Sequence, residues 1–468
     1  MRLGTAVICV CLLMAGCKPA ERYVARSKKP AEKEKEIKIT PPPHWAWLDV
    51  RDTWDVPIVF VPSTSPEWSK LRNFWNFYPA AVPGTTTLSA LGQHPLGAAL
   101  ALVASLHAEA IKIKVPRGLP DPAPFIPSSN PPTYAKWKLG KKIFFEDKLL
   151  VSGADRVSCA FCHQPTNAFC DGQATSGGFN TLSLINVVYN KRQFWDGRVR
   201  HLEQTIVRDL KDEPAPGLEV PADLGRKHIW AGLVPKLDKR DDYVDAFRQV
   251  FGTRPTLDTI SKALATYTRT ILSGSSLYDW AEYKRGKAAR LKAEHFEAYL
   301  DAATLKGLEA GKKDKSQVAQ ELLRGSQLFQ GKGRCALCHK GPLFTDGDFH
   351  NIGIIRGLED EPGYFAHAPL GLKETRLIGA FRTPSLRNLS GTAPYFHDGS
   401  RKSLKDAVAY YVKGIFPSSH LAKELREGPN MPVDLNLDAD DIEVLALFLR
   451  SLDGEPVDAM ITATPRKE

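Results

Sequence analysis

Apolar residues recur at helical spacing in two places far apart in the chain. Ile442, Leu445, Leu449 and Leu452 follow Asp438 and Asp441, which suit a helix start, and Gly454 marks the stop. Ile260, Leu264, Tyr267 and Ile271 make the same stripe before Gly274. Stripes of this kind are core-packing faces. Two more helices are predicted to end in Gly140-Lys-Lys-Ile-Phe144 and Gly325-Ser-Gln-Leu-Phe329, and another runs from Ser403 to Val412. Long loops separate them. Upstream, residues 39 to 130 are rich in tryptophan and proline and offer one apolar helix candidate, Leu96 to Leu106. Pro116 to Pro132 reads as a proline-punctuated linker strapped along the surface.

The resemblance between the halves extends beyond the helices. At an offset of 202 residues and without a gap, Thr181, Ser183, Leu184, Asn186, Phe194, Asp196 and Gly197 fall on Thr383, Ser385, Leu386, Asn388, Phe396, Asp398 and Gly399. The chain contains a duplicated unit.

The composition places this unit in a class. At 468 residues, 43% hydrophobic and 25% charged, the chain is ordinary globular protein with room for two or three domains. Part of the net charge of +10 sits between Lys18 and Lys38, where charges run together without an apolar stripe, as in a solvated tether. No basic patch is interleaved with aromatics, which excludes a nucleic-acid partner. Arg2, the apolar run Ala6 to Ala15 and the small residues leading into Cys17 form an export signal of lipoprotein type. A lipid anchor on Cys17, and hence a membrane-anchored periplasmic protein, is the expectation. An ordinary cleaved signal with an incidental cysteine is the alternative, and Met14 stands where such signals more often have leucine.

The cysteines carry the chemistry. Of eight, Cys9, Cys11 and Cys17 belong to the signal and Cys170 stands alone. The other four read Cys159-Ala-Phe-Cys162-His163 and Cys335-Ala-Leu-Cys338-His339. In C-x-x-C-H a short turn sets both sulfurs along one haem edge, where they bond the vinyl groups, while the histidine becomes an axial iron ligand. Zinc held by two C-x-x-C pairs would not need a histidine at the same offset twice, and neither would a redox dithiol or a structural disulfide. Helix, haem motif, loops and helix is the plan of a small cytochrome c. The fold expected is therefore mainly α: two tandem cytochrome c-like haem domains with long loops, plus an N-terminal extension. The divisions are a signal at 1–17, tether and extension at 18–130, a first haem domain at 131–310, a second at 311–456 and a tail at 457–468.

The second axial position separates electron carriers from sites of small-molecule chemistry. Beyond the initiator, methionine occurs only as Met14 in the signal, Met431 in a polar loop and Met460 in the tail, so ordinary His/Met ligation is disfavoured. No histidine lies between His163 and His201, which leaves the first haem open, and His201 reads as a surface residue at a helix start. In the second unit Tyr410 and Tyr411 occupy the positions of Arg208 and Asp209, and one of them could reach the iron as a strong anionic donor. Two core aromatics are the other reading of that pair.

At these residues the chain resembles the bacterial di-haem cytochrome c peroxidase superfamily, which includes MauG-type enzymes. The resemblance spans about residues 133 to 455. It rests on Leu139-Gly-Lys-Lys-Ile-Phe-Phe145, both C-x-x-C-H sites, Phe194-Trp-Asp-Gly-Arg198, Phe381-Arg-Thr-Pro-Ser-Leu-Arg-Asn388 and Thr392-Ala-Pro-Tyr-Phe-His-Asp-Gly399. It implies that His163 serves a peroxide-reactive haem, His339 an electron-relay haem, and that Trp195 lies between the two. It implies a calcium ion at Asn180, Thr392 and Pro394, although Phe179 and Leu182 replace the arginine and proline usual beside that asparagine. Glu219 resembles the glutamate that moves a proton between the peroxide oxygens, with Glu213 the runner-up. Tyr411 aligns where ordinary members have methionine and MauG-type members tyrosine, and the loop after the first haem lacks the distal histidine of many ordinary members. Both departures point to the MauG-type branch.

The function implied is reaction with hydrogen peroxide at the first haem and relay of the oxidising equivalents through the second. The electrons would come from a small redox protein or from a side chain of a protein substrate. A di-haem electron carrier and a haem-based sensor are the competing classes.

Overall fold

The computed structural model describes residues 56–77, 110–147, 149–152, 155–173, 179–205, 233–354, 362–428 and 430–465. The export signal, Cys17, the tether, the Leu96 to Leu106 segment, Glu213 and Glu219 lie outside these residues. The described part is mostly helical, and no helix in it is long and apolar enough to cross a membrane.

The N-terminal extension contributes a small mixed sheet that the sequence pattern did not suggest. Strands β1 (Ile58–Val61) and β3 (Ile111–Lys114) pair in parallel, and β2 (Trp75–Phe77) runs antiparallel on the other side of β3. In β3 the alternation Ile-Lys-Ile-Lys buries Ile111 and Ile113 and leaves the lysine stems half-covered, as a pleat requires. The sheet is tied to the first unit where Ile58 N donates to Pro132 O and Tyr134 N to Val56 O. Residues 116 to 132 strap across the surface as expected but are anchored, with Leu119 and Asn130 buried. Ser275 N donates to Arg117 O, and the Tyr189 hydroxyl to Pro120 O.

Each repeat is built on one helix crossing. In the first, α1 (Tyr134–Phe145), opened by the Thr133 cap, packs on α3 (Leu257–Thr268), opened by a Thr256/Thr259 capping box; α2 (Asp241–Phe251) lies alongside. In the second, α6 (Lys315–Gln330) packs on α8 (Ala439–Arg450), each opened by an aspartate cap, Asp314 or Asp438. Both crossings close on a glycine. A Cβ on Gly140 would lie 2.0 Å from the Ala263 carbonyl oxygen, and one on Gly325 would lie 2.6 Å from Val444 O and from Phe448 Cβ. The same aromatic contact follows one turn later: Phe144 meets Tyr267 at 5.0 Å and 50°, and Phe329 meets Phe448 at 5.3 Å and 53°. Gly140→Ala should therefore push backbone against backbone and cost about 2–3 kcal/mol, read as a lowered urea midpoint with unchanged m-value.

The two stripes seen in the sequence close the units, but both helices end early. Ile271 and Leu452 lie beyond Thr268 and Arg450, in turns that carry them into the core all the same. Helices α4 (Leu277–Arg285) and α5 (Ala293–Glu297) belong by sequence to the first haem domain. Their apolar residues Leu277, Ala281, Phe296 and Leu300 pack with Val318, Leu322 and Leu447 of the second unit. The expected tail also folds back: Ile461 is fully buried, the Tyr267 hydroxyl donates to its carbonyl at 2.8 Å, and Lys141 Nζ donates to Met460 O.

The units meet through a local two-fold. Asn180 N donates to His397 O at 2.7 Å, and Arg382 N donates to Trp195 O at 2.8 Å. Asn180 and Arg382 are related by the 202-residue repeat, as are Trp195 and His397, so each unit gives the other the same backbone hydrogen bond. Phe179 and Phe381, also repeat-related, meet with centroids 5.5 Å apart.

Candidate haem sites

Each C-x-x-C-H lies on a short helical turn, Cys159–Cys162 or Cys335–Leu337. Each histidine is then fixed by the loop after it. His163 Nδ1 pairs with Phe169 O at 3.0 Å and His339 Nδ1 with Phe344 O at 2.9 Å, an arrangement that puts the hydrogen on Nδ1 and leaves Nε2 bare for a metal. The accepting carbonyls are aimed by backbone turned to positive φ, 58° at Phe169 and 52° at Phe344. Ser183 Oγ donates to Ala168 O at 2.6 Å, and its repeat partner Ser385 Oγ to Leu343 O at 2.7 Å, so each loop is pinned next to the carbonyl that holds the imidazole. Burial lowers the pKa of both imidazoles and favours the neutral form that ligates.

The thiols are those of an attachment site. All four are free, and burial pushes Cys159 and Cys335 up to about 12. A redox-active dithiol needs the opposite shift. The four sulfurs do not gather around one point: among the described residues the sole metal-capable cluster is Cys338, His350 and Glu424, which spends a thiol of the second site. The residues fit covalently bound haem at each site.

On α7 (Leu404–Lys413), capped by Ser403, the two tyrosines face differently. Tyr410 gives its hydroxyl to Ile352 O at 2.8 Å and packs on Phe396. Tyr411 lies in the cluster that includes Cys335, Phe329 and Phe448. Burial raises its pKa, and the nearby Tyr410, Cys335 and Cys338 raise it further. A phenol in that position ionises only if a cation compensates it. Met431 is 62% exposed on the surface, which removes it as a ligand in this arrangement, and His201 is exposed as expected.

Trp195 is buried at the two-fold. Its indole N–H donates to Asn180 O at 2.8 Å, and its ring lies 6.3 Å from His397, which stacks on Phe381 at 3.7 Å. The next residue, Asp196, is clamped by Arg198 at 2.9 Å and His367 at 3.3 Å. Burial works to raise its pKa, but these hydrogen bonds outweigh it and hold the carboxyl low. Arg382 is buried against the carbonyl of Phe194 and the side chain of Asn190, and burial lowers it to about 10. Arg382 and His397 were not singled out from sequence; the signal was there, because they are the repeat partners of Asn180 and Trp195.

Asn180 and Pro394 come together and Thr392 lies two residues away, its hydroxyl bonded to Leu389 O. The Asn180 amide nitrogen donates to the carbonyls of Pro394 and Phe396. Turning that amide over would present Oδ1 beside the same two oxygens, a neutral oxygen set that a hard cation accepts.

Comparison with known proteins agrees with this geometry. A family model described as di-haem cytochrome c peroxidase matches residues 134–289. The methylamine utilization protein MauG of Methylorubrum extorquens is 30% identical over 380 residues, covering 79% of this chain and 92% of the relative. The chain belongs to the di-haem cytochrome c peroxidase and MauG family. Another relative, cytochrome-c peroxidase IdrP1 of Pseudomonas sp. strain SCT, is 30% identical over 322 residues, 62% of this chain and 75% of the relative. Among solved structures, a MauG-like protein associated with microbial copper homeostasis superposes with a TM-score of 0.53 at 25% identity, covering 75% of this chain and 97% of the other. The chain is thus a peroxidase-like oxidoreductase of a family that carries two c-type haems.

Proposed function

We propose that the protein reduces hydrogen peroxide at the first site and draws the two electrons through the second. They would come from a small redox protein or from a side chain of a protein substrate. The observation that carries this reading is the pairing of two locked histidines across a two-fold with a buried tryptophan on it. The overall change is H2O2 + 2H⁺ + 2e⁻ → 2H2O. Cys159, Cys162 and His163 hold one haem and Cys335, Cys338 and His339 the other, in tandem cytochrome c-like units. When bound, haem at the first site would supply the redox chemistry for cleaving the O–O bond, and haem at the second would supply a relay for electrons.

The chain's own residues do the rest. Phe169 O and Phe344 O keep the imidazoles neutral at Nε2 and add electron density to them. Tyr411, packed with Cys335, would help hold the haem iron of the second site, and its burial would keep water away from that oxygen. Trp195 offers its π-system for electron passage between the units. Glu219, with Glu213 as the alternative, carries the proton from the proximal to the distal peroxide oxygen. Asn180, Thr392 and Pro394 bind calcium and stiffen the junction beside Trp195. Export through the N-terminal signal places the enzyme in the periplasm, with Cys17 as its lipid anchor.

Spectroscopy of the ferric holoprotein tests this reading. One high-spin and one low-spin haem signal are expected, with a spectral response to peroxide that needs no prior reduction. Two low-spin signals inert to peroxide would identify an electron carrier instead. Trp195→Phe should leave both resting signals in place and slow donor oxidation by about 10-fold or more, measured at saturating peroxide.

A further inference from the structure

The N-terminal extension touches the first unit through an aromatic line. Trp75 of β2 meets Trp137 of α1 with centroids 4.8 Å apart, Trp137 meets Tyr267 of α3 at 6.1 Å, and Tyr267 meets Phe144 at 5.0 Å. Phe144 in turn meets Phe169, whose carbonyl holds His163 Nδ1, with centroids 6.3 Å apart, so the line begins beside the first haem site. Trp75 and Trp137 are each 3% exposed and Tyr267 is fully buried, so solvent does not interrupt it.

The second unit provides an internal control. It has the same helix crossing, but the residues equivalent to Trp137 and Tyr267 are Leu322 and Phe448, neither of which can be oxidised under biological conditions. Leucine and phenylalanine therefore satisfy the packing. At these two helix positions the oxidisable rings belong to the unit read as reacting with peroxide, and the extension prolongs their line by one more indole.

We propose that Tyr267, Trp137 and Trp75 form an outlet through which oxidising equivalents leave the first site when donor is scarce. Trp137 passes one electron inward and is refilled from Trp75, which is left one electron short; an external one-electron reductant restores it. The Tyr267 hydroxyl faces the carbonyl of Ile461, which cannot take its proton, so this ring bridges rather than holds the charge. The Trp137 N–H donates to Thr270 Oγ1 at 2.9 Å and keeps its proton. The Lys141 ammonium, 5.4 Å from the Trp137 ring, disfavours a cation there and moves it on to Trp75.

This inference rests on the peroxidase reading, and one experiment separates the two. The full-length ferric holoenzyme is mixed with a small excess of peroxide without donor, freeze-quenched for electron paramagnetic resonance, and digested to map oxidised residues by mass spectrometry. A tryptophan radical is expected, narrowed when the protein is grown with ring-deuterated tryptophan. Oxidation products should concentrate at Trp75. Trp75→Phe and Trp137→Phe should each weaken the radical and hasten inactivation by peroxide several-fold, whereas replacing Trp280, which lies on α4 and packs on Tyr299 away from the line, by phenylalanine should change neither. A normal haem response to peroxide with radical, products and inactivation unaltered in both variants would overturn the outlet alone. No haem response at all would overturn the peroxidase reading and the outlet with it.

Discussion

Tyr411→Phe should remove the low-spin ferric signal of the second haem and slow donor oxidation by about 100-fold, the scale on which ligand and outer-shell losses act at such sites. The substitution takes away one oxygen and keeps the ring, which packs 6.0 Å from Phe396. Stability should therefore change by no more than about 1 kcal/mol, while the spectrum changes completely. The neighbouring residue gives the contrast. Tyr410→Phe forfeits the hydrogen bond to Ile352 O, again about 1 kcal/mol, and should leave the low-spin signal where it was. Identical spectra for Tyr411→Phe and the parent would remove Tyr411 from the iron.

Arg387→Met should cost about 3–5 kcal/mol, more than any other single change discussed, because it strands a buried carboxylate. Arg387 and Asp279 form a two-pronged pair at 2.7 and 2.8 Å, with side chains only 2% and 4% exposed. Arg387 also donates to Pro342 O at 2.8 Å and Gly118 O at 3.1 Å, binding the strap, α4 and the loop that orients His339 into one joint. The strap approaches so closely that a Cβ on Gly118 would lie 1.9 Å from Asp279 Oδ1. Urea unfolding of the holoprotein measures the loss. Replacing Asp279 as well by leucine should recover part of it, since the deserted charge is what costs most. A double variant less stable than Arg387→Met would contradict that account.

The helical frame and both C-x-x-C-H sites were legible because their signals are local. A stripe at 3.6-residue spacing, an aspartate cap or a five-residue motif needs no knowledge of the distant chain. The 202-residue repeat was legible for the same reason, and it aligned the halves correctly. The β-sheet of the extension was not, because its strands are three or four residues long and β1 finds its partner some fifty residues away. The role of residues 277–310 was missed because an apolar face does not say which neighbour it will cover. The hydrogen bond that occupies the Tyr410 hydroxyl was not legible either, because sequence could not locate the Ile352 carbonyl. The loop carbonyls on His163 and His339 were equally hidden, since they depend on phenylalanines taking a left-handed backbone that their side chains do not favour.

The reciprocal backbone hydrogen bonds at Asn180 and Arg382 give one chain the symmetry of a pair. A contact in which position i of one half meets position j of the other, and j meets i, is the signature of two identical subunits associating face to face. Here that pattern is carried within a single chain, between its two repeated units. Two copies of one subunit must be alike at such a contact, whereas two units of one chain need not be, and Trp195 faces the axis from one side while His397 faces it from the other.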